Sequence, residues 1–198
     1  MQTPDLNTLA THSILFTGHM IDRADRAVPR FPAVLEDEVK QKILFHIQAE
    51  QARIGEGILL TAIASGACGG DVIFHESCIS AGVPSVMYLP KDPGAFVHES
   101  VDFAGTRWVK RFDHLYEHLP HIICTPEMLL PPLLNDGSEH DVWSFCNLVM
   151  LADAMKEGGE HMTLIALWNG QGGDGPGGTA HLVSTAQRLG AAIIVIDI

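Results

Sequence analysis

The chain has 198 residues, 46% of them hydrophobic and 18% charged, enough for one core that buries about 70% of the unfolded surface without disulfides or metal. Twelve Lys plus Arg against twenty-four Asp plus Glu leave a formal charge of -12, and a surface this acidic repels nucleic-acid polymers and anionic membranes. No apolar run approaches the roughly 20 residues of a membrane span, and the first residues lack the basic-then-apolar order of a signal peptide; the expectation is a soluble, cytoplasmic protein with one domain over 1–198.

In chain order, Ser13 to Thr17 predicts a short buried strand ended by Gly18, and a long basic loop follows with Arg23, Arg26, Pro29, Arg30 and Pro32. Val34 to Ile54 carries Leu35, Val39, Ile43, Ile47 and Ile54 near helical spacing, with acids in its first turn where the dipole favours them. Ile58 to Ala64 is a second strand; it breaks into Ser65, Gly66, Ala67, Cys68, Gly69, Gly70 and Asp71 before a helix through about Ser80. Pro84 to Leu89 predicts a third strand, with helical stretches at Phe96 to Val101 and Thr106 to Glu117 and a short strand at His121 to Cys124. After a polar, Pro-rich connection, Asp141 is an N-cap for a helix to about Glu157. Thr163 to Trp168 is a strand, Gly177 to Leu189 a helix, and Ala192 to Ile196 a final apolar strand. Strands and helices alternate to the end, and the strands are apolar on both faces. That pattern predicts an α/β, Rossmann-like three-layer sandwich, a mostly parallel sheet with helices on both faces.

Cys68, Cys78, Cys124 and Cys146 form no C-x-x-C pair and sit in apolar stretches, as buried thiols do. His114, His118 and His121 approach one another at helical spacing, but no H-E-x-x-H or neighbouring carboxylate completes a metal site, so no metal is expected.

An open parallel sheet binds ligands beyond the carboxyl ends of its strands, which directs attention to three loops. Thr17, Gly18, His19 and Met20 follow the first strand, within reach of three of the seven arginines. Ser65 to Asp71 follow the second, where Gly66, Gly69 and Gly70 allow backbone amides to approach an anion or a ribose, and a helix starts near Asp71. The third runs from Trp168 to Thr179, with six glycines in nine residues: Gly170, Gly172, Gly173, Gly175, Gly177 and Gly178. One tight turn needs no such run, whereas close backbone approach to a ligand does. Asp174 is a candidate ribose acceptor there, and Thr179 and His181 are candidates for a phosphate. Gly170, Gly172 and Gly175 also spell G-x-G-x-x-G, with Asp197 after the next strand, but a nicotinamide oxidoreductase is the weaker reading because one residue alone follows Asp197. Asn147 is a candidate base-reading amide on its helix, and Trp108, Lys110, Arg111 and Phe112 are candidates to line the site or to pack on the core.

Taken together, Thr17-Gly18-His19-Met20, Ser65-Gly66-Ala67-Cys68-Gly69-Gly70-Asp71 and Gly172-Gly173-Asp174-Gly175-Pro176-Gly177-Gly178-Thr179 resemble the loops of the SLOG superfamily. Its Rossmann-like domains include the Lonely Guy phosphoribohydrolases, the DprA/Smf proteins and nucleotide-sensing modules fused to signalling or defence proteins. The resemblance implies a nucleotide ligand across the carboxyl edge of the sheet, held as a sensing or binding module, with no cofactor required and a homodimer or a fused effector as partner. It also implies DNA binding in the DprA branch, which the charge of -12 opposes. The phosphoribohydrolases continue G-T-x-x-E, and here Leu182 stands where that Glu falls. The alternative reading, cleavage of a nucleotide N-glycosidic bond, therefore turns to Glu76, or Asp174, as the carboxylate, with Arg30 orienting phosphate or base.

Overall fold

Alternation along the first strand sets the layers. In β1 (Ala10–Gly18), Ile14 and Phe16 point to one face and Leu15 to the other, all three fully buried. The computed structural model describes residues 10–135, 137, 139–170 and 178–198. After β1, a 3-10 turn at Ala33–Leu35 leads into α1 (Glu36–Ile54), then β2 (Ile58–Ala64), α2 (Gly70–Ala81), β3 (Ser85–Leu89), α3 (Pro93–Ser100), α4 (Thr106–His118), β4 (His121–Ile123), α5 (Val142–Ala154), β5 (Met162–Leu167), α6 (Thr179–Arg188) and β6 (Ala192–Ile196).

Six strands form one sheet in the order β4-β3-β2-β1-β5-β6, and every pair is parallel. One apolar layer joins Phe16, Val39, Ile43, Phe74 and Phe112 from β1, α1, α2 and α4. The other joins Leu15, Leu148, Leu151, Leu182 and Ala186 from β1, α5 and α6. The fold is thus the expected Rossmann-like three-layer sandwich. No helix among the described residues is long and apolar enough to cross a membrane.

The limits of β2 and β6 match the sequence reading to the residue, the other elements are shifted by one to three residues, and β1, α3 and α5 are shifted most, by three at one end. β1 starts at Ala10 rather than Ser13, because polar His12 is buried in a network at the amino end of the sheet. There Glu50 receives Arg53 Nη2 at 2.7 Å and the Thr163 hydroxyl at 2.6 Å, and His12 Nε2 lies 3.0 Å from Thr163 Oγ1. Burial alone would raise the Glu50 pKa, but the bonds from Arg53 and Thr163 outweigh it and hold the group below its ordinary value. α3 starts at Pro93 rather than Phe96, since Asp92 caps it by accepting the Ala95 amide at 3.1 Å and Pro93 fits the first turn. α5 stops at Ala154, short of Glu157.

β1 pairs with β2 on one side and β5 on the other, so the chain reverses its progress across the sheet between β1 and β5. That reversal opens a crevice at their carboxyl ends. Gly69 closes its floor: at φ +99° it passes so near the β1 exit that a Cβ there would lie 2.5 Å from the Ile21 amide nitrogen, and Met20 and Gly69 form an isolated antiparallel bridge. Gly57 has a similar φ of +89° with open space around it. Gly69→Ala therefore combines left-handed strain with a backbone clash and is expected to cost about 2–4 kcal/mol in urea unfolding, against about 1–2 for Gly57→Ala, where strain acts alone.

Candidate functional site

The crevice contains a cavity of about 370 Å³. β1 supplies Phe16, Thr17 and Gly18, and Met20 follows; the turn after β2 supplies Ser65 and Ala67, and α2 supplies Asp71. Pro90 and the α3 residues Phe96, Glu99 and Ser100 form a second wall, α5 a third with Trp143, Cys146, Asn147 and Met150, and Gly178 and Thr179 the edge at the start of α6.

Of the residues expected from sequence, the fold thus brings Thr17, Gly18, Met20, Ser65, Asp71, Asn147, Gly178 and Thr179 to one cavity. The Thr17 and Thr179 hydroxyls lie 3.4 Å apart, joining the end of β1 to the start of α6. Gly172, Gly173, Asp174, Gly175 and Gly177 lie outside the described residues.

The glycines of the second loop are needed for close packing within the protein itself. Gly66 faces the Phe112 ring, where a Cβ would come within 2.9 Å, and Gly70 faces the Phe16 ring at 3.0 Å. The Gly70 amide donates to His19 O at 3.1 Å, the Cys68 amide to Ser100 O at 2.9 Å and the Ala67 amide to the Asp71 carboxylate at 3.2 Å. Three amides of the loop are thereby committed within the protein, and the acid at the start of α2 takes the place of an external anion. His19 is buried beside the cavity rather than in its lining; its Nε2 lies 3.4 Å from Asn169 Oδ1, and burial lowers its pKa.

The two catalytic candidates are also placed elsewhere. Both Glu76 oxygens receive Arg111, each at 2.7 Å, and Arg111 also donates to Glu36 at 2.8 Å. Glu76 lines a separate surface hollow with Arg107, Lys110, Arg111 and His114, while Trp108 and Phe112 are buried in the core. In the basic loop, Asp22 accepts the amides of Arg30 and Phe31 at 2.9 and 3.0 Å, Arg26 pairs with Asp22 at 3.4 Å, and Arg23 lies 3.8 Å over the Phe103 ring. Arg30 sits close enough to His19 to depress its charging, but neither residue is in the cavity lining.

Sequence reasoning missed the α3 wall and most of the α5 wall. A signal existed for α5, since 143, 146, 147 and 150 follow the spacing of one helix face. Trp143 packs on Phe96 with ring centroids 5.9 Å apart, and Lys91 Nζ sits 4.7 Å over the Trp143 ring while bonding Glu99 at 2.8 Å. Lys91 itself is not in the lining.

Among the described lining residues the polar groups are hydroxyls, one amide and two carboxyls, with no Arg, Lys or His. Burial pushes the Asp71 pKa up to about 7, partly offset by the Ala67 amide. Neighbouring His75 is fully buried; it bonds Ser65 O at 2.9 Å and Ser85 Oγ at 3.0 Å, and burial pulls it down to about 4, so it is neutral at pH 7. The His114 and His118 rings lie 4.4 Å apart on α4, tilted by 42°, and no group of three potential metal ligands occurs among the described residues.

No protein-family model matches the chain, and no curated protein matches it significantly. Fold and site therefore define a class: a doubly wound, Rossmann-like domain with a cavity at its topological switch point and no Arg, Lys or His among the described residues of its lining.

Because the folded state holds the Asp71 proton more tightly than the unfolded chain, this group favours folding fully below about pH 4 and loses that contribution as pH rises to about 7. Asp71→Asn keeps an oxygen for the Ala67 amide and removes the titration. Its stability relative to the parent chain is expected to rise between pH 4 and 7, by on the order of 3 kcal/mol, and to level off above, as read by urea unfolding across pH.

Proposed function

We propose that this chain is a SLOG-type module that binds a nucleotide or nucleotide-derived small molecule in the switch-point cavity, nucleoside end inward. The observation that carries this reading is the lining: the half-buried Trp143 offers aromatic surface, backed by the fully buried Phe16 and Phe96, while Asn147, Ser65, Ser100 and the Asp71 and Glu99 carboxyls offer polar partners, with no cation among the described lining residues. A planar base suits the rings, and ribose hydroxyls suit the carboxyls as donors. A phosphate would meet the Asp71 and Glu99 carboxyls there, and the nearby Lys91 is already engaged by Glu99 at 2.8 Å. Its place is the outer edge, where α6 begins at Gly178 without a side-chain cap and Thr17 and Thr179 present hydroxyls. As a binding module, the domain would signal through a second copy or a fused effector.

One observation favours the enzymatic alternative strongly enough to keep it in the test. Asp71, with a pKa of about 7, is suited to protonate a leaving base in N-glycosidic cleavage. In that reading the acid is Asp71, and Glu76, the carboxylate expected from sequence, is engaged by Arg111 with both oxygens.

Thermal-shift titration with nucleosides, nucleoside monophosphates, NAD, ADP-ribose and cyclic nucleotides, with chromatography of every hit, tests both. A ligand at 100 times its Kd adds about 2.7 kcal/mol to the folded state. Asn147→Ala is expected to weaken nucleoside and nucleotide alike by about tenfold, and Thr179→Ala to weaken only phosphate-bearing ligands. Ligand recovered intact supports the binding module; released base, abolished by Asp71→Asn, supports the glycosidase. Absence of a shift with all five classes would overturn nucleotide binding.

A further inference from the structure

Two of the four thiols are neighbours. Cys124 directly follows β4, where its amide donates to Leu89 O at 2.8 Å and extends the β3–β4 ladder. Cys146 sits in the second turn of α5, which covers that face of the sheet, and the two Sγ atoms lie 3.2 Å apart. Both side chains are buried in the α5–α6 layer with Tyr88, Leu134 and Met150. Cys68 and Cys78 belong to the opposite layer.

A disulfide has an S–S length of about 2.05 Å, so little more than an ångström separates this pair from a covalent bond. Cys124 keeps 6% of its surface exposed, which is the route for a small oxidant to its sulfur, while Cys146 faces the cavity as part of its lining. We propose that Cys124 and Cys146 form an oxidative modification site, closing to an intramolecular disulfide in the presence of a hydroperoxide and so pinning the α5 wall of the cavity to the end of β4.

The pair shares one S–H···S hydrogen bond, and a thiol so placed can turn its proton toward its neighbour's thiolate. When Cys124 ionises, the Cys146 S–H donates to the thiolate, which holds Cys124 below the ordinary thiol range and raises Cys146. Asp153, whose carboxylate receives the Tyr88 hydroxyl, opposes ionisation of Cys124 without reversing the order. Cys124 is thus the attacking thiolate. Its sulfur forms a bond to one peroxide oxygen as the O–O bond breaks, and the departing hydroxide takes a proton to become water. The Cys146 sulfur then attacks the Cys124 sulfenic acid; the S–S bond forms, the S–O bond breaks, and hydroxide leaves with the Cys146 proton as a second water. Two thiols lose two electrons and two protons, and one peroxide becomes two waters. Cys68, whose pKa burial raises to about 12, and Cys78, raised by burial as well, are poor competitors.

The test uses the full chain without ligand, so its outcome is independent of the nucleotide reading. Protein exposed to hydrogen peroxide is quenched, denatured, alkylated with N-ethylmaleimide and analysed by intact mass and peptide mapping. The expected product has two alkylatable thiols in place of four, a mass about 2 Da lower before alkylation, a linked peptide pair joining positions 124 and 146, and full reversal by dithiothreitol. Cys146→Ser is expected to leave a sulfenic acid at Cys124 that dimedone traps. Four alkylatable thiols after treatment, a bridge involving Cys68 or Cys78, or sulfinic acid at Cys124 in the parent chain instead of the bridge would overturn the proposal.

Discussion

A parallel sheet covered by helices on both faces has almost no surface left for polar chemistry except the two edges where its strands begin and end. Here that constraint is strict. The alternation of Ile14, Leu15 and Phe16 commits both sides of the central strand to apolar layers, so every side chain available to a ligand along β1 must come from its exit. The two ends of β1 are correspondingly different. At the amino end, Glu50, Arg53, His12 and Thr163 satisfy one another. At the carboxyl end, polar groups line a cavity wide enough for a small molecule.

The same constraint explains the glycines. Strand exits converge on the crevice, and their turns must pass one another at backbone distance. Gly69 against Ile21, Gly66 against Phe112 and Gly18 against Leu167 are all places where a Cβ would collide with the protein itself. Glycine enrichment at a strand-helix junction thus has two causes, approach to a ligand and approach to another segment, which leave the same trace in a sequence. In the Ser65 to Asp71 turn the second cause accounts for the glycines and for three amides. Of the later loop, Gly178 and Thr179 meet the cavity.

The strands were the legible part of the fold, because an apolar run bounded by turn formers leaves little choice of limits, as at Ile58–Ala64 and Ala192–Ile196. The first residues of β1 were hidden, since His12 reads as a polar surface residue until Glu50 and Thr163 are folded around it. At the site, the rule that ligands sit beyond strand ends led to Thr17, Ser65 and Asp71. It did not lead to Phe96 or Glu99, because which helix folds back over the crevice depends on how the chain leaves β3, and local spacing does not encode that. Nor could spacing reveal that Glu76 is engaged by Arg111, a partner 35 positions away brought in by the packing of α4 on α2.

The pairing of β1 with β5 joins Ser13 to Met162, segments about 150 positions apart, and contacts so distant in sequence form slowly and late. A chain emerging from the ribosome can assemble β1 through β4 and their helices well before β5 exists. During that interval β1 is an edge strand, with its unpaired backbone and the apolar side of Leu15 open to any other strand that passes. The crevice is also incomplete until β5 docks. The β1–β5 pairing therefore completes the crevice and covers the open edge of β1 in one event.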